Sequence, residues 1–258
     1  MKTNPVTLAC SWYPRGELGR FKRELPKLRE IYEKIVVAIM DESAEIQMIQ
    51  AFFEENDVQY QIFSGWSGRY LCVKRAIESG AKYVHYVDFD RLVRWSECHF
   101  DELKQVVATI PNQELLILGR TAFAWNTHPR SMFETERLFN TVFSQYFERA
   151  MDFGAGSRGM SKNAVEYILR HSDCKDALNM DAGWAVLLKR GGFSWGYTEV
   201  DGLEYESADQ YKDRAATHDE QKALQVELDL SAENWALRTT VANKIMVSGL
   251  CAMTQSLP

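Results

Sequence analysis

The chain has 258 residues, of which 46% are hydrophobic and 26% are charged, and its formal net charge is −6. This composition is ordinary for a globular protein, and the acidic balance argues against nucleic-acid binding, because proteins that bind nucleic acid usually carry a basic excess. No stretch approaches the roughly 18 apolar residues that a transmembrane helix needs, and the N-terminal residues do not resemble a signal peptide. We therefore expect a cytoplasmic protein without a transmembrane segment.

The N-terminal third of the chain alternates between strand-like and helix-like segments. Apolar runs predict strands at 6–12, 34–40, 58–63 and 83–87. Helical patterns fill the segments between them, at 19–34, from a Ser43 cap to about 55, and at 69–79. Because strands that alternate with helices form parallel sheets with crossover helices, we predict an α/β fold with a mostly parallel central sheet flanked by helices.

The remainder of the chain is less regular. We predict helices at 97–108, 131–151, 161–171, 181–189 and 232–250, and strands at 115–119 and 193–200. Between them lie a loop at 120–130, a glycine-rich loop at 154–159 and a polar segment at 201–222. No linker rich in Gly, Ser or Pro marks a boundary, so we expect a single domain.

The strongest functional pattern is Asp88-Phe89-Asp90, which ends the fourth predicted strand. Side chains two positions apart on a strand point the same way, and two neighbouring carboxylates repel each other unless a cation joins them. Ligands bind at the carboxyl ends of the strands in open parallel sheets. Hard oxygen donors suit Mg²⁺ or Mn²⁺. We therefore predict a metal site at Asp88 and Asp90; an ordinary capped turn is the alternative interpretation.

The segment from Gly65 to Arg91 resembles the nucleotide-sugar region of GT-A glycosyltransferases, especially those similar to family two. In those enzymes a glycine-containing loop leads into a helix with basic residues, and the next strand ends in Asp-x-Asp. The matching pieces are Gly68-Arg69, Lys74-Arg75-Ala76, Gly80-Ala81-Lys82-Tyr83 and Asp88-Phe89-Asp90. The resemblance includes the first strand and extends weakly to about residue 206. It implies a GT-A (Rossmann-like) fold with a C-terminal helical extension.

The resemblance also implies a function, namely metal-dependent transfer of a sugar, expected to be a hexose, from a nucleoside-diphosphate-sugar to a hydroxyl group of a small molecule or glycan. By resemblance, Asp88 contacts the ribose or the metal, and Asp90 binds the metal, which stabilises the leaving nucleoside diphosphate. Arg15, Asp41 and Arg69 become candidate nucleotide contacts. Residues 1–120 would form the nucleotide-sugar half, 121–230 the acceptor half and 231–252 the C-terminal helix.

Asp181 and Arg158 are the candidates on the acceptor side. Asp181 lies where family-two-like enzymes carry the acid that activates the acceptor, although Met180 stands where the paired form has a second acid. A carboxylate at the start of a helix can accept a proton from a hydroxyl, or it can simply cap the helix. Arg158, in the glycine-rich loop, could hold a carboxylate, a phosphate or a sugar hydroxyl through paired donors.

A histidine is a further candidate metal ligand, because some GT-A enzymes, mannosylglycerate synthase among them, add a later histidine to the Asp-x-Asp site. His218 lies in the polar segment after the last predicted core strand and is the preferred candidate. His128 competes with it, in a loop where Trp125 could offer its face to a sugar.

Two other functions stay open at this point. A sugar nucleotidyltransferase shares the sheet and the metal aspartates, but the turn after the first strand is a poor version of its glycine-rich basic signature. A non-catalytic nucleotide- or sugar-binding module would bind its ligand without turnover. The last helix is expected to pack on the domain or to mediate a homodimer.

Overall fold

The computed structural model describes residues 4–42, 44–172, 177–206 and 210–256. These residues contain one seven-stranded sheet in the order β3-β2-β1-β4-β6-β5-β7. The strands are β1 Val6–Trp12, β2 Lys34–Met40, β3 Gln59–Phe63, β4 Tyr83–Val87, β5 Leu115–Arg120, β6 Ser157–Ser161 and β7 Trp195–Val200. All neighbouring pairs are parallel except those of β6, which is antiparallel to β4 and to β5. The predicted α/β class with a mostly parallel sheet is therefore confirmed.

Eleven α-helices connect or cover these strands in the described residues. They are α1 Leu18–Ile31, α2 Ile46–Glu55, α3 Gly68–Glu78, α4 Phe89–Cys98, α5 Phe100–Thr109, α6 Ala122–Trp125, α7 Arg130–Phe147, α8 Lys162–His171, α9 Gly183–Arg190, α10 His218–Leu230 and α11 Ala232–Thr254. Short 3-10 turns occupy Ile110–Asn112 and Ala177–Met180. The predicted Ser43 cap lies outside the described residues.

Helices cover both faces of the sheet, and each face has its own apolar core. Residues of α1, α2, α4 and α5 pack on one face, and residues of α3, α7, α8, α9 and α11 pack on the other. In β1, Leu8 and Cys10 belong to the first core and Ala9 belongs to the second. Burial on both faces explains why β1 is mostly apolar and why all seven of its residues are buried, including Thr7 and Ser11.

Several elements differ from the sequence-based expectation, and one of them is the short helix α6 within the predicted loop at 120–130. The helix predicted at 97–108 is α5, which begins at Phe100, and the helix before it, α4, was not predicted and begins directly after Asp88. The apolar periodicity of α4 is interrupted because Arg94 and Ser96 are buried with polar partners. Strand β6 has the sequence SRGMS, which has no apolar run, and it forms because β4 and β5 pair with it on both sides. The polar segment at 201–222 contains the start of α10, which begins with a Thr217–Glu220 capping box.

Buried ion pairs fasten the segment before α10 over α1 and α4. Arg94 donates to both carboxylate oxygens of Glu204, at 3.1 and 3.0 Å. Arg20, which is fully buried, pairs with Glu97 at 2.8 Å and with Glu206 at 3.0 Å. Buried charges of this kind need such partners to offset their loss of hydration. The pairs fix the segment that follows β7 against the helix that carries Asp90.

The predicted C-terminal helix is α11, and Ser231 caps it by accepting a hydrogen bond from the Asn234 amide at 3.1 Å. It packs mainly against α7 and α9. No helix in the described parts of the chain combines the length and the hydrophobicity that crossing a membrane requires.

Candidate active site

The carboxylates of Asp88 and Asp90 line a cavity of about 540 Å³ at the carboxyl ends of β1 and β4. Asp88 follows β4 and is the residue before α4, whereas Asp90 lies in the first turn of α4. The other walls come from the turn after β1, from the start of α3 and its preceding loop, and from α11. The lining residues are Ser11, Trp12, Tyr13, Arg15, Glu17, Trp66, Arg69, Asp88, Phe89, Asp90, Leu178, Leu237, Arg238 and Val241.

The turn after β1 is fixed by Glu17, which is buried. Its Oε1 accepts a hydrogen bond from Trp12 Nε1 at 2.8 Å, and its Oε2 accepts one from the Arg15 amide at 2.7 Å. Trp12 in turn stacks on Phe89 with ring centroids 4.0 Å apart. These contacts hold the main chain of Arg15 beside the first turn of α4.

Asp88 is held in one orientation by Tyr86 and Arg69. The Tyr86 hydroxyl donates to Oδ1 at 2.5 Å, so its bond to Ser11 Oγ at 2.7 Å must be donated by Ser11. Arg69 donates through Nε to Oδ1 and through Nη2 to Oδ2, at 3.2 and 2.7 Å. Burial raises the pKa of Asp88, and the Arg69 charge opposes that rise. The result is a fixed carboxylate at the end of β4.

Asp90 is ionised and is paired with a more exposed cation. Its Oδ1 accepts from the Arg91 amide at 2.8 Å, and its Oδ2 accepts from Arg15 Nη2 at 2.9 Å. Burial acts to raise the pKa of Asp90, but Arg91 and Arg15 together hold it below its ordinary value. The Arg15 side chain is 39% exposed, so it can move away from Asp90 at little cost.

The two carboxylates fit a divalent cation. They are hard oxygen donors facing one cavity, and the Arg15 guanidinium already places a positive charge against Asp90. Within the described ranges, no group of three or more His, Cys, Asp or Glu side chains is arranged to hold a metal ion. Mg²⁺ and Mn²⁺ sites with one or two carboxylates complete their shell from phosphate and water.

Neither predicted histidine joins the two carboxylates in such a group. His218 is exposed as the first residue of α10. His128 is buried, its Nδ1 lies 2.9 Å from the Ala124 carbonyl, and burial lowers its pKa well below the ordinary value. The geometry of the described residues therefore offers Asp88 and Asp90 as the protein ligands.

Arg69 connects Asp88 to the predicted acceptor-side acid, Asp181. Its Nη1 donates to Asp181 Oδ2 at 2.8 Å, and its side chain is only 14% exposed. The Asp181 side chain is 4% exposed and does not line the cavity, because Arg69 lies between it and Asp88. Its Oδ1 is buried without a hydrogen-bond partner among the described residues.

Arg158 and Asp41 do not line the cavity. The guanidinium of Arg158 is fully buried and donates to main-chain carbonyls, among them those of Phe153 at 2.6 Å and Asp181 at 2.7 Å. Burial lowers the pKa of Arg158 to about 10. Instead of reaching a ligand, Arg158 braces the main chain beneath Asp181. Asp41 is exposed after β2, and its amide donates to the Phe63 carbonyl.

The structure adds cavity residues that the sequence analysis did not select. Trp66 is 53% exposed and Tyr13 is 40% exposed, so two aromatic rings are accessible along the cavity. The one indication in the sequence that Trp66 contributes to a site was its position in a loop between Gly65 and Gly68. Arg238 comes from α11, which had been given only a packing or dimer role, and no sequence pattern linked it to the aspartates.

The orientation of Asp88 depends on Gly156 in the glycine-rich loop. Gly156 has φ of +68°, and a Cβ there would lie 2.4 Å from Asp88 Oδ2. Its carbonyl accepts a hydrogen bond from the Asp88 amide at 3.1 Å. We expect Gly156→Ala to lower the free energy of unfolding by about 1–3 kcal/mol and to weaken Mn²⁺-dependent ligand binding, because backbone strain and a displaced carboxylate combine.

Gly192→Ala is the matched control for this substitution. Gly192 also has positive φ, +79°, but nothing lies within 4 Å of its Cβ position. Urea unfolding should show a loss of stability in both variants, whereas titration with Mn²⁺ and nucleotide should show weaker binding only for Gly156→Ala. Equal ligand affinity in the two variants would contradict the role given to Gly156.

A second and larger cavity, of about 950 Å³, lies away from the aspartate pair, beside α7 and β7. One wall carries Arg120, which stacks on Trp125 at 3.5 Å from the ring centroid and pairs with Asp152 and Glu136 at 2.7 and 2.5 Å. Burial raises the pKa of Glu136 to about 7, with Arg120 opposing and Asp152 reinforcing the rise.

The raised pKa of Glu136 predicts a pH effect on stability. The folded protein holds the Glu136 proton more tightly than the unfolded chain does, where the pKa is the ordinary 4.5. The contribution of Glu136 to the free energy of unfolding is therefore fully present below pH 4.5 and is lost as the pH rises to about 7. This loss is on the order of 3 kcal/mol for one buried group. Urea unfolding at pH 5 and pH 8 should show that Glu136→Gln lacks this loss and that Glu134→Gln, on the same helix, retains it.

No protein-family model matches the sequence, and no curated protein matches it significantly. Solved structures match the fold along nearly the whole chain, which has the GT-A fold of nucleotide-sugar transferases. Glucosyl-3-phosphoglycerate synthase from Mycobacterium tuberculosis, in complex with Mn²⁺, UDP and phosphoglyceric acid, is one of them. It has a TM-score of 0.60 and 9% identity, with 98% of this chain and 79% of that chain covered.

A second match is a structure described only as a mycobacterial protein, with a TM-score of 0.62, 9% identity, and 98% and 75% of the two chains covered. The same synthase with Mn²⁺, UDP-glucose and glycerol 3-phosphate has a TM-score of 0.60 and 9% identity, with 98% and 81% covered. At such low identity the likeness concerns the fold, and the GT-A expectation is confirmed at that level.

Proposed function

We propose that this protein is a glycosyltransferase that transfers a sugar from a nucleoside-diphosphate-sugar to a hydroxyl group. The observation that carries this proposal is the cavity in which Asp88 and Asp90 face Arg15 and Arg69 at the carboxyl ends of β1 and β4. The GT-A fold supports it, because solved structures with that fold include an enzyme bound to Mn²⁺ and UDP-glucose. The volume of the Asp88–Asp90 cavity, about 540 Å³, suits a small-molecule ligand.

The charged residues of this cavity would bind the diphosphate of the donor, and its aromatic residues would bind the nucleoside. Asp90, with Asp88 beside it, would hold Mn²⁺ or Mg²⁺, and this cation supplies positive charge to the diphosphate. Arg15 would then be free to leave Asp90 and donate to a phosphate oxygen, as arginine does well through paired N–H groups. The rings of Tyr13 and Trp66 offer apolar surface to the nucleoside.

We propose that Asp181 positions Arg69 and does not take the acceptor proton. A base must come within hydrogen-bond reach of the hydroxyl, but the Asp181 side chain is nearly fully buried and its Oδ2 is occupied by Arg69. Arg69 bridges Asp181 and Asp88, so the orientation of the Asp88 carboxylate depends on both partners. The free Oδ1 of Asp181 stays available only to a ligand that displaces Arg69.

Thermal shift assays test the proposal on the whole chain. UDP, GDP, CDP, ADP and their sugar conjugates are scanned with and without Mn²⁺. A ligand at a hundred times its dissociation constant adds about 2.7 kcal/mol of stability, so one nucleoside diphosphate should raise the melting temperature only with Mn²⁺. The matching nucleotide-sugar should then release its nucleoside diphosphate when an acceptor is present.

Three outcomes would contradict the proposal. Pyrophosphate release from a nucleoside triphosphate and a sugar phosphate would indicate a nucleotidyltransferase. Tight binding of a nucleotide-sugar without turnover, over a broad set of hydroxyl acceptors and water, would indicate a binding module. The absence of a shift with every nucleotide would remove the donor cavity from consideration.

A further inference from the structure

Helix α11 forms a wall of the cavity that contains Asp88 and Asp90. Leu237, Arg238 and Val241 of α11 line it. Lys244, six residues after Arg238, lies over the Trp66 ring at 5.1 Å from its centroid. Six helical residues span about 9 Å along the axis. Helix α11 therefore carries two positive charges about 9 Å apart along its axis, Lys244 at Trp66 and Arg238 at the cavity wall.

Arg238 lines this cavity and makes no hydrogen bond or close ion pair with the described residues, although its charge also acts on the buried Glu136 and His128. Its Nε is buried and has no hydrogen-bond partner. The other two cavity arginines differ, because Arg15 pairs with Asp90 and Arg69 pairs with Asp88 and Asp181. Buried polar atoms are nearly always satisfied, and a buried donor without an acceptor costs free energy. An arginine without a hydrogen-bond acceptor, in a cavity whose two carboxylates already have counterions, is suited to an anion brought by a ligand.

We propose that Arg238 binds the diphosphate of the donor and stabilises the charge that develops on it as the nucleoside diphosphate leaves. This inference rests on the proposed function. In the transfer, the bond between the anomeric carbon and the diphosphate oxygen breaks, and its electron pair stays on that oxygen. The acceptor oxygen bonds to the anomeric carbon, and its proton passes to solvent or to the departing diphosphate. A guanidinium that contacts the diphosphate would lower the energy of that charge.

The position of Arg238 agrees with a phosphate contact more than with a nucleoside contact. The accessible rings of the cavity are Tyr13 and Trp66, and Arg238 is displaced along α11 from the Lys244–Trp66 contact. A nucleoside against Trp66 would leave its phosphates to extend away from that ring, toward the carboxylates and Arg238. Guanidinium groups bind phosphate through charge-assisted hydrogen bonds, and the Arg238 side chain lines the cavity without such a bond to the described residues.

Calorimetric titrations with inorganic pyrophosphate and with UDP, each with Mn²⁺, test this proposal without depending on the acceptor. The variant is Arg238→Met, which keeps the length of the side chain and removes its charge. The control is Arg75→Met, since Arg75 is exposed on α3 and does not line the cavity. Arg238→Met should bind pyrophosphate about 10- to 100-fold more weakly than wild type, the size expected for lost hydrogen bonds to a charged group. Arg75→Met should bind it unchanged.

A second variant and a second readout separate the possible results. Arg238→Lys keeps a charge without the paired donors, so its affinity should lie between those of wild type and Arg238→Met. Thermal melting of the unliganded variants shows whether Arg238→Met folds. If it does not fold, the comparison of Arg238→Lys with wild type tests the proposal instead. Equal pyrophosphate affinity in wild type and the Arg238 variants would overturn the inference and leave the proposed function in place. Failure of the wild type to bind pyrophosphate and every one of UDP, GDP, CDP and ADP with Mn²⁺ would overturn both.

Discussion

Replacing Asp90 with asparagine is expected to lower Mn²⁺-dependent donor affinity or turnover by about 100-fold or more, since a metal clamp on a phosphate contributes several kcal/mol and each 1.36 kcal/mol is tenfold. Asparagine keeps the shape of the side chain and removes its charge. The charge matters because Arg91 and Arg15 hold the pKa of Asp90 below its ordinary value, so the carboxylate is ionised throughout the neutral range. Titration of nucleoside diphosphate at several Mn²⁺ concentrations measures the effect.

Asp101→Asn is the matched control for Asp90→Asn. Asp101 also lies in the first turn of a helix, α5, and it is exposed and outside the cavity. It should retain the full dependence on Mn²⁺. A residual nucleotide affinity in Asp90→Asn that no longer responds to Mn²⁺ would agree with the assignment, because Arg15 would stay in the cavity. An unchanged Mn²⁺ response in Asp90→Asn would refute it.

Replacing Arg69 with methionine is expected to lower the free energy of unfolding by about 3–5 kcal/mol, the usual result of removing one partner from a buried ion pair. Arg69 is the counterion of both Asp88 and Asp181, which are 75% or more buried by side chain. Without it the two carboxylates face each other unpaired. The melting temperature should fall by on the order of 10 °C for a protein of this size, as calorimetry would measure.

A second substitution distinguishes the loss of the ion pair from the loss of packing. Asp181→Asn removes one of the two orphaned charges, so the double variant Arg69→Met/Asp181→Asn should be more stable than Arg69→Met alone. Arg75→Met, on the same helix, should stay within about 0.5 kcal/mol of wild type, as exposed substitutions usually do. A double variant no more stable than Arg69→Met would show that Asp181 does not depend on Arg69.

The sequence by itself determined the parallel half of the sheet and indicated the pair of carboxylates that lines the candidate site. The strands at 6–12, 34–40 and 83–87 appear in the structure with the predicted bounds, because strands buried on both faces are continuous apolar runs bounded by polar breaks. Asp88 and Asp90 follow such a run, and the carboxyl edge of a parallel sheet is where ligands bind. Local pattern was therefore sufficient to find this pair of carboxylates.

Only the tertiary structure decided which distant residues join that pair. Strand β6 forms because two neighbouring strands pair with it, and its polar composition gives no indication of this. Arg158 donates its hydrogen bonds to buried main-chain carbonyls, whereas Arg238 lines the cavity from the last helix. Charge and residue type are written in the sequence. Burial and partnership depend on packing between segments far apart in the chain, and these decide whether a charged side chain supports the fold or faces a ligand.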